Sequence, residues 1–213
     1  MPLTVNTNSF QVGGVGPAPL DPAVIQAEIV KSSPYKHLQT VNVESATTVL
    51  LDDPEIANYS STLIILDSLK LGPSQYQGIG MRFIQAGVLY TASQYSYSYH
   101  GTNEVGSRIG GGGVNQAYGQ LIIQNASYMP FDDVGGQIVC TGMKAGSRKV
   151  AISRIASGRS SPSDGSEKAR AHNSTVTTII DGYQCTGFEL FPVYSSPQFV
   201  SGRISIYGLS THD

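Results

Sequence analysis

From residue 59 onward, apolar positions recur at every second residue in short runs separated by Gly, Pro, Asn, Asp and Ser. That alternation sets one face of each run against a core and the other against solvent, as in half-buried β-strands. The run at 199–209 shows it most plainly. Ile204 and Ile206 fall on one face, and Arg203, Ser205 and Tyr207 on the other. Gly202 precedes the alternating part, where a bulge or bend needs a residue without a Cβ. A closing strand this apolar must pair with strands made much earlier, so the sheet is expected to close through long-range contacts. Runs at 62–69, 79–83, 94–100, 119–125, 136–143, 149–155, 175–180 and 187–191 predict further strands, with Ile79, Met81 and Phe83 facing inward. Roughly ten strands with turn residues between them predict an all-β fold, an antiparallel jelly-roll-like β-sandwich.

The pattern differs before residue 59. Gly13-Gly14-Val15-Gly16-Pro17-Ala18-Pro19 suits neither helix nor paired strand. Residues 1–20 therefore read as an extended arm. Its residues Leu3, Val5, Phe10, Val12, Val15, Pro17, Pro19 and Leu20 are candidate contacts with a neighbouring subunit. Asp21-Pro22 opens one short helix over 23–30, with Asp as cap, Pro at the first helical position, and Ile25 and Ile29 on one stripe. Residues 35–58 read as a connector holding one strand at 46–51. The expected division is thus 1–58 for arm, helix and connector, and 59–213 for the sandwich. Two polar stretches in the second part read as loops. One is 101–113, ending in four glycines, and the other is 156–174, rich in Ser, Gly and charge. The glycine run is not a phosphate loop, since no Lys-Ser/Thr pair or helix signal follows it.

Composition sharpens this picture. Charged residues make up 13% of the chain, against about 25% in an average domain. Polar surface built from hydroxyls and amides loses less on desolvation than charged surface, which suits broad contact with other proteins. Net charge is −2, and no basic stripe marks a nucleic-acid partner. Arg148, Lys149, Arg154, Arg159, Lys168 and Arg170 cluster only loosely and read as a solvated or partner-facing loop. No run approaches the roughly 18 apolar residues of a membrane span, and residues 1–6 carry no signal-peptide pattern. Synthesis in a cytosol is expected, so the glycosylation-type matches at Asn58, Asn125 and Asn173 carry little meaning.

Candidate chemistry is sparse. Asp52-Asp53 and Asp132-Asp133 lie beside Pro or Gly and read as turn formers rather than metal ligands or an acid–base pair. His172 lacks a nucleophile or a second histidine at ligand spacing. Cys140 and Cys185 stand in apolar settings outside any Cys-x-x-Cys motif. Buried free thiols are the plain reading, with a disulfide left open. Tyr95, Tyr97 and Tyr99 alternate with small polar residues. Such a row is either a packed sheet face or a ladder of rings on which a sugar stacks. No metal or cofactor is expected, and no catalytic residue is assigned.

The order of these features resembles a family of small tailed-bacteriophage virion proteins with a jelly-roll-like sandwich. The likeness runs from Tyr59-Ser60-Ser61-Thr62-Leu63-Ile64-Ile65-Leu66-Asp67 through Met81-Arg82-Phe83, Tyr95-Ser96-Tyr97 and Gly119-Gln120-Leu121-Ile122-Ile123-Gln124-Asn125. It ends at Ser201-Gly202-Arg203-Ile204-Ser205-Ile206-Tyr207-Gly208-Leu209. It does not reach residues 1–58. It implies a non-enzymatic structural protein of the virion, assembled in the host cytoplasm. The main expectation is a capsid decoration or cement protein that binds the major capsid protein or other virion subunits through its sandwich and arm. A homo-oligomer is expected, without nucleic-acid or membrane partners. The alternative is a tail or fibre component that binds a host-surface receptor or glycan. Against it, no long shaft or coiled-coil segment is present.

Overall fold

The period-two runs pair into two antiparallel sheets. The structure, a computed structural model, describes residues 34–72, 78–102, 108–122, 133–160, 167–178, 183–193 and 198–209. Among these residues the strands are β1 (Tyr35–Ala46), β2 (Val49–Asp52), β3 (Ser61–Leu71), β4 (Gly78–Gln85), β5 (Val88–Leu89) and β6 (Tyr95–Thr102). They continue with β7 (Arg108–Gln116), β8 (Gly119–Ile122), β9 (Asp133–Thr141), β10 (Val150–Ser160), β11 (Glu167–Thr178), β12 (Cys185–Val193) and β13 (Phe199–Leu209). The larger sheet runs β1-β13-β3-β9-β10-β11-β6-β7. The smaller runs β2-β12-β4-β5, and β8 pairs with the other end of β4 along the same edge as β5. The described residues contain no α-helix. The expected arm, with Leu3, Val5, Phe10, Val12, Val15, Pro17, Pro19 and Leu20, and the expected helix at 23–30 lie outside them.

One core joins the two sheets. Ile64, Leu66, Ile138, Val176, Ile204 and Ile206 from the larger sheet and Ile79, Met81, Phe83, Phe188 and Leu190 from the smaller are buried in a single cluster. Phe83 stacks parallel to Tyr95 with centroids 6.2 Å apart and meets Phe188 at 5.6 Å. Full burial of side chains of this size contributes about 1.5–3 kcal/mol each. The closing strand β13 lies between β1 and β3, so the last apolar run is held on both edges. Gly202 adopts φ +136, and the pairing with β3 shifts register across it. That is the irregularity the glycine before the alternating run implied.

Three stretches differ from the sequence expectation. Residues 35–58 were expected as a connector with one strand at 46–51. They instead supply β1, β2 and the 3-10 turn Pro54–Asn58. Strand β1 is an edge strand, so most of its side chains are exposed or half-buried, and its polar sequence hides the pairing. In the turn, Asp53 Oδ1 accepts a hydrogen bond from the Glu55 N–H at 2.8 Å, a capping role for the second member of Asp52-Asp53. The expected loop 101–113 contains most of β7. Gly111 and Gly113 stand opposite Tyr99 and Tyr97. A Cβ on Gly111 would lie 2.7 Å from Tyr99 Oη, and one on Gly113 2.9 Å from Tyr97 Cε1. The glycines leave room for rings laid across them, as aromatic residues do over glycine in sheets. The third is the expected loop 156–174. Strands β10 and β11 pair along their whole length. Ile155 and Val176 secure the inner half of that ribbon, and backbone pairing continues through the rest.

The smaller sheet turns a charged pair outward. Arg82 Nη1 donates to Glu189 Oε2 at 2.8 Å and Nε donates to the Ala117 carbonyl at 3.2 Å. Its guanidinium carbon lies 4.4 Å from the Phe191 ring centroid and 5.9 Å from that of Tyr118.

Candidate functional site

The register of the larger sheet sets side chains of β10, β11 and β6 in cross-strand rows. Arg154 stands opposite Asn173, and Asn173 opposite His100. One step along, Ile152 stands opposite Thr175, and Thr175 opposite Ser98. The residues between them, Ser153 and Ser174, are buried, so the strand period turns both rows to the outer face. These six side chains, with Ser153 and Ser174 at the floor, line an open groove of about 580 Å³. Neighbouring strands lie about 4.8 Å apart, so each three-strand row is about 10 Å long.

The groove is held from below. Ala151, Ile155 and Val176 are buried, and the Ser153 and Ser174 hydroxyls share a hydrogen bond of 2.7 Å in the interior. Fixing the strands on their inner side holds the outer rows in place before any ligand arrives. The outer side chains are spread differently. The Arg154 guanidinium, the Asn173 amide and the His100 ring have no hydrogen bond or ion pair among the described residues. Among the described residues no carboxylate lines the groove. Arginine stays charged at every accessible pH, so the groove carries a fixed positive charge. Ile152, 49% exposed, supplies an apolar surface beside the Thr175 and Ser98 hydroxyls. One amide, two hydroxyls, a guanidinium and an imidazole around an apolar patch can hydrogen-bond and cover a polyhydroxylated ligand.

Among the described residues no hydrogen bond links His100 to a serine hydroxyl. Nor do three His, Cys, Asp or Glu side chains of the described residues gather as a metal-binding group. Asp52-Asp53 lies at the capped turn, and Asp132 and the side chains of Asp133 and His172 lie outside the described residues.

The tyrosines occupy the other face of β6. Tyr95 is wholly buried. Its hydroxyl accepts from the Phe83 N–H at 3.0 Å and donates to the Tyr90 carbonyl at 2.9 Å. Burial pushes its phenol well above the ordinary range. Tyr97 is half-buried against the core, and Tyr99 is half-buried over Gly111. Tyr95 presents no ring to a ligand, and the run packs inward. The groove uses the residues between and after these rings, Ser98 and His100. Cys140 and Cys185 are both free and buried. Burial raises both thiols, Cys185 to about 12.

A second feature of the outer face lies beside the groove. Tyr207 stands opposite Leu63, Leu63 opposite Val139, and Val139 opposite Ile152. This row of four apolar side chains is set on four consecutive strands. His37 meets the Tyr207 ring edge-on at 5.3 Å.

No family model matches the chain, and no curated protein matches it. Among solved structures it has a weak likeness to the CBM2 module of the evolved Dit of Lactobacillus casei phage J-1. The TM-score is 0.22 and the identity 6%, over 84% of this chain and 82% of that one. A likeness of that size carries no argument about function.

Proposed function

We propose that this protein is a virion module that acts by contact and not by catalysis, of the tail or fibre kind, and that it holds a host-surface glycan in the outer groove of its larger sheet. The observation that carries this reading is the pair of rows Arg154–Asn173–His100 and Ile152–Thr175–Ser98. They line one open groove, and its strongest donors are unused within the described chain. The sequence resemblance to phage virion proteins supports the setting. The test is a polysaccharide-binding assay on the purified chain with N173A and T175A variants. Binding that either variant weakens supports the reading. Binding that survives both but is lost in a Y97A/Y99A variant would place the ligand on the inner tyrosine face and overturn it.

The decoration reading keeps one observation of its own, the apolar row Tyr207–Leu63–Val139–Ile152 on the same outer face. Apolar side chains at the centre of a polar surface are what a subunit contact needs. Antibody labelling of intact particles separates the two. Label at the tail supports host-surface binding, and label over the head supports decoration.

A further inference from the structure

We infer that the groove selects an anionic ligand, a polymer bearing carboxylate or phosphate groups, with Arg154 as the anchor of the acidic group. The inference rests on the reading that this groove is the binding site. Arg154 stands in the middle of a face whose described neighbours in register, Gln137 on β9 and Asn173 on β11, are uncharged. On that side of the sheet the Asp67 carboxylate is already joined to Arg203. It also belongs to β3, two strands from Arg154, which is about 10 Å. A guanidinium fork presents parallel N–H donors that match the two oxygens of a carboxylate or phosphate. Without an acceptor among the described residues, that fork favours a ligand that brings its own. Asn173 and His100 continue the row and can bond the flanking hydroxyls, while Ile152 covers an apolar ring face. One fixed cation and one ring, the His100 imidazole, among the described residues of the groove are too little for the backbone tracking and successive base stacking that bind single-stranded nucleic acid. A charged saccharide is therefore the ligand class favoured.

The experiment measures binding of the full chain to four probes: polygalacturonate, a glycerol-phosphate polymer, neutral dextran and single-stranded DNA. The variants are R154Q, R154K and N173A. The expected result is binding of one or both acidic polysaccharides and not of dextran. R154Q should weaken it about tenfold or more, R154K should only partly restore it, and added salt should weaken it. The arm that binds, carboxylate or phosphate, identifies the source of the charge. Equal binding of dextran that is unaffected by R154Q but lost in N173A would overturn the anionic inference and leave the groove as the site. Binding that neither R154Q nor N173A alters, or absence of binding to all four probes, would overturn both. Preference for DNA over the acidic polysaccharides would overturn the saccharide class. Unchanged urea midpoints for R154Q and N173A serve as the folding control.

Discussion

Each sheet turns an arginine outward from an inner strand, Arg82 on β4 and Arg154 on β10, and the surroundings of the two are opposite. Arg82 has a carboxylate at 2.8 Å, a carbonyl on its Nε and two aromatic rings against its plane. Only 22% of its side chain reaches solvent. Arg154 is exposed, and no described residue pairs with it. The same chemical group is thus spent inside the fold on one face and left open on the other. A guanidinium with its bonds already satisfied has little to offer a ligand. One held in place with its donors free, above a pinned pair of strands, can form its bonds without first breaking others.

Stability measurements on variants should separate the two faces. The largest effect is expected from Glu189→Ala. Breaking a mostly buried pair leaves the Arg82 charge without its acceptor and should cost about 3 kcal/mol, read as a fall in the urea midpoint. If this change costs no more than Arg154→Ala, the contrast between the faces fails. Next comes Gly136→Ala on β9. Gly136 holds φ +154, and a Cβ there would lie 2.4 Å from the Arg154 carbonyl oxygen. Strain and crowding of that kind cost about 1–3 kcal/mol. The change should also weaken ligand binding with Arg154 itself intact, because it moves the strand that carries it.

Smaller losses are expected in the core between the faces. Tyr95→Phe removes a buried hydroxyl that serves both Phe83 and Tyr90 and should cost about 1–2 kcal/mol. Alkali should act on the core in the same range. The Cys185 thiol keeps its proton in the fold to about pH 12, and that of Cys140 is raised as well. Above the unfolded thiol range near 9, the unfolded chain binds fewer protons than the folded one, so stability falls as pH rises through that window. The slope is about 1 kcal/mol per thiol between pH 9 and 10, measurable by urea titration at each pH. A midpoint that holds constant there would contradict the burial of both thiols. The smallest effect is Arg154→Gln, which should change stability by no more than about 0.5 kcal/mol while altering what the groove binds.

Much of the sandwich was legible because strong alternation survives in the strands that face the core. The runs at 62–69, 79–83 and 199–209 fall within β3, β4 and β13, with Ile79, Met81, Phe83, Ile204 and Ile206 buried as their spacing implied. What escaped were strands whose side chains do not report burial. Strand β1 is a polar edge, β7 is built on glycines beneath tyrosine rings, and the outer half of the β10–β11 ribbon is joined by backbone bonds. The groove was hidden for the same reason. Asn173 fell in a stretch read as a loop, and Arg154 in a loose cluster of basic residues, so nothing placed them beside His100. The Tyr95-Ser96-Tyr97-Ser98-Tyr99-His100 alternation did hold the signal. If its rings pack inward, its hydroxyls and imidazole must face out, and only the register shows which residues of other strands join them.

The placement of β13 between β1 and β3 bears on how the protein is made. During translation, β1 and β3 wait with facing edges unoccupied until residues 199–209 leave the ribosome. A nascent chain stalled before residue 199 would carry β1 without a strand partner in the larger sheet and β3 with one adhesive edge open. Cells producing it should need chaperones that shield such edges during synthesis far more than after release.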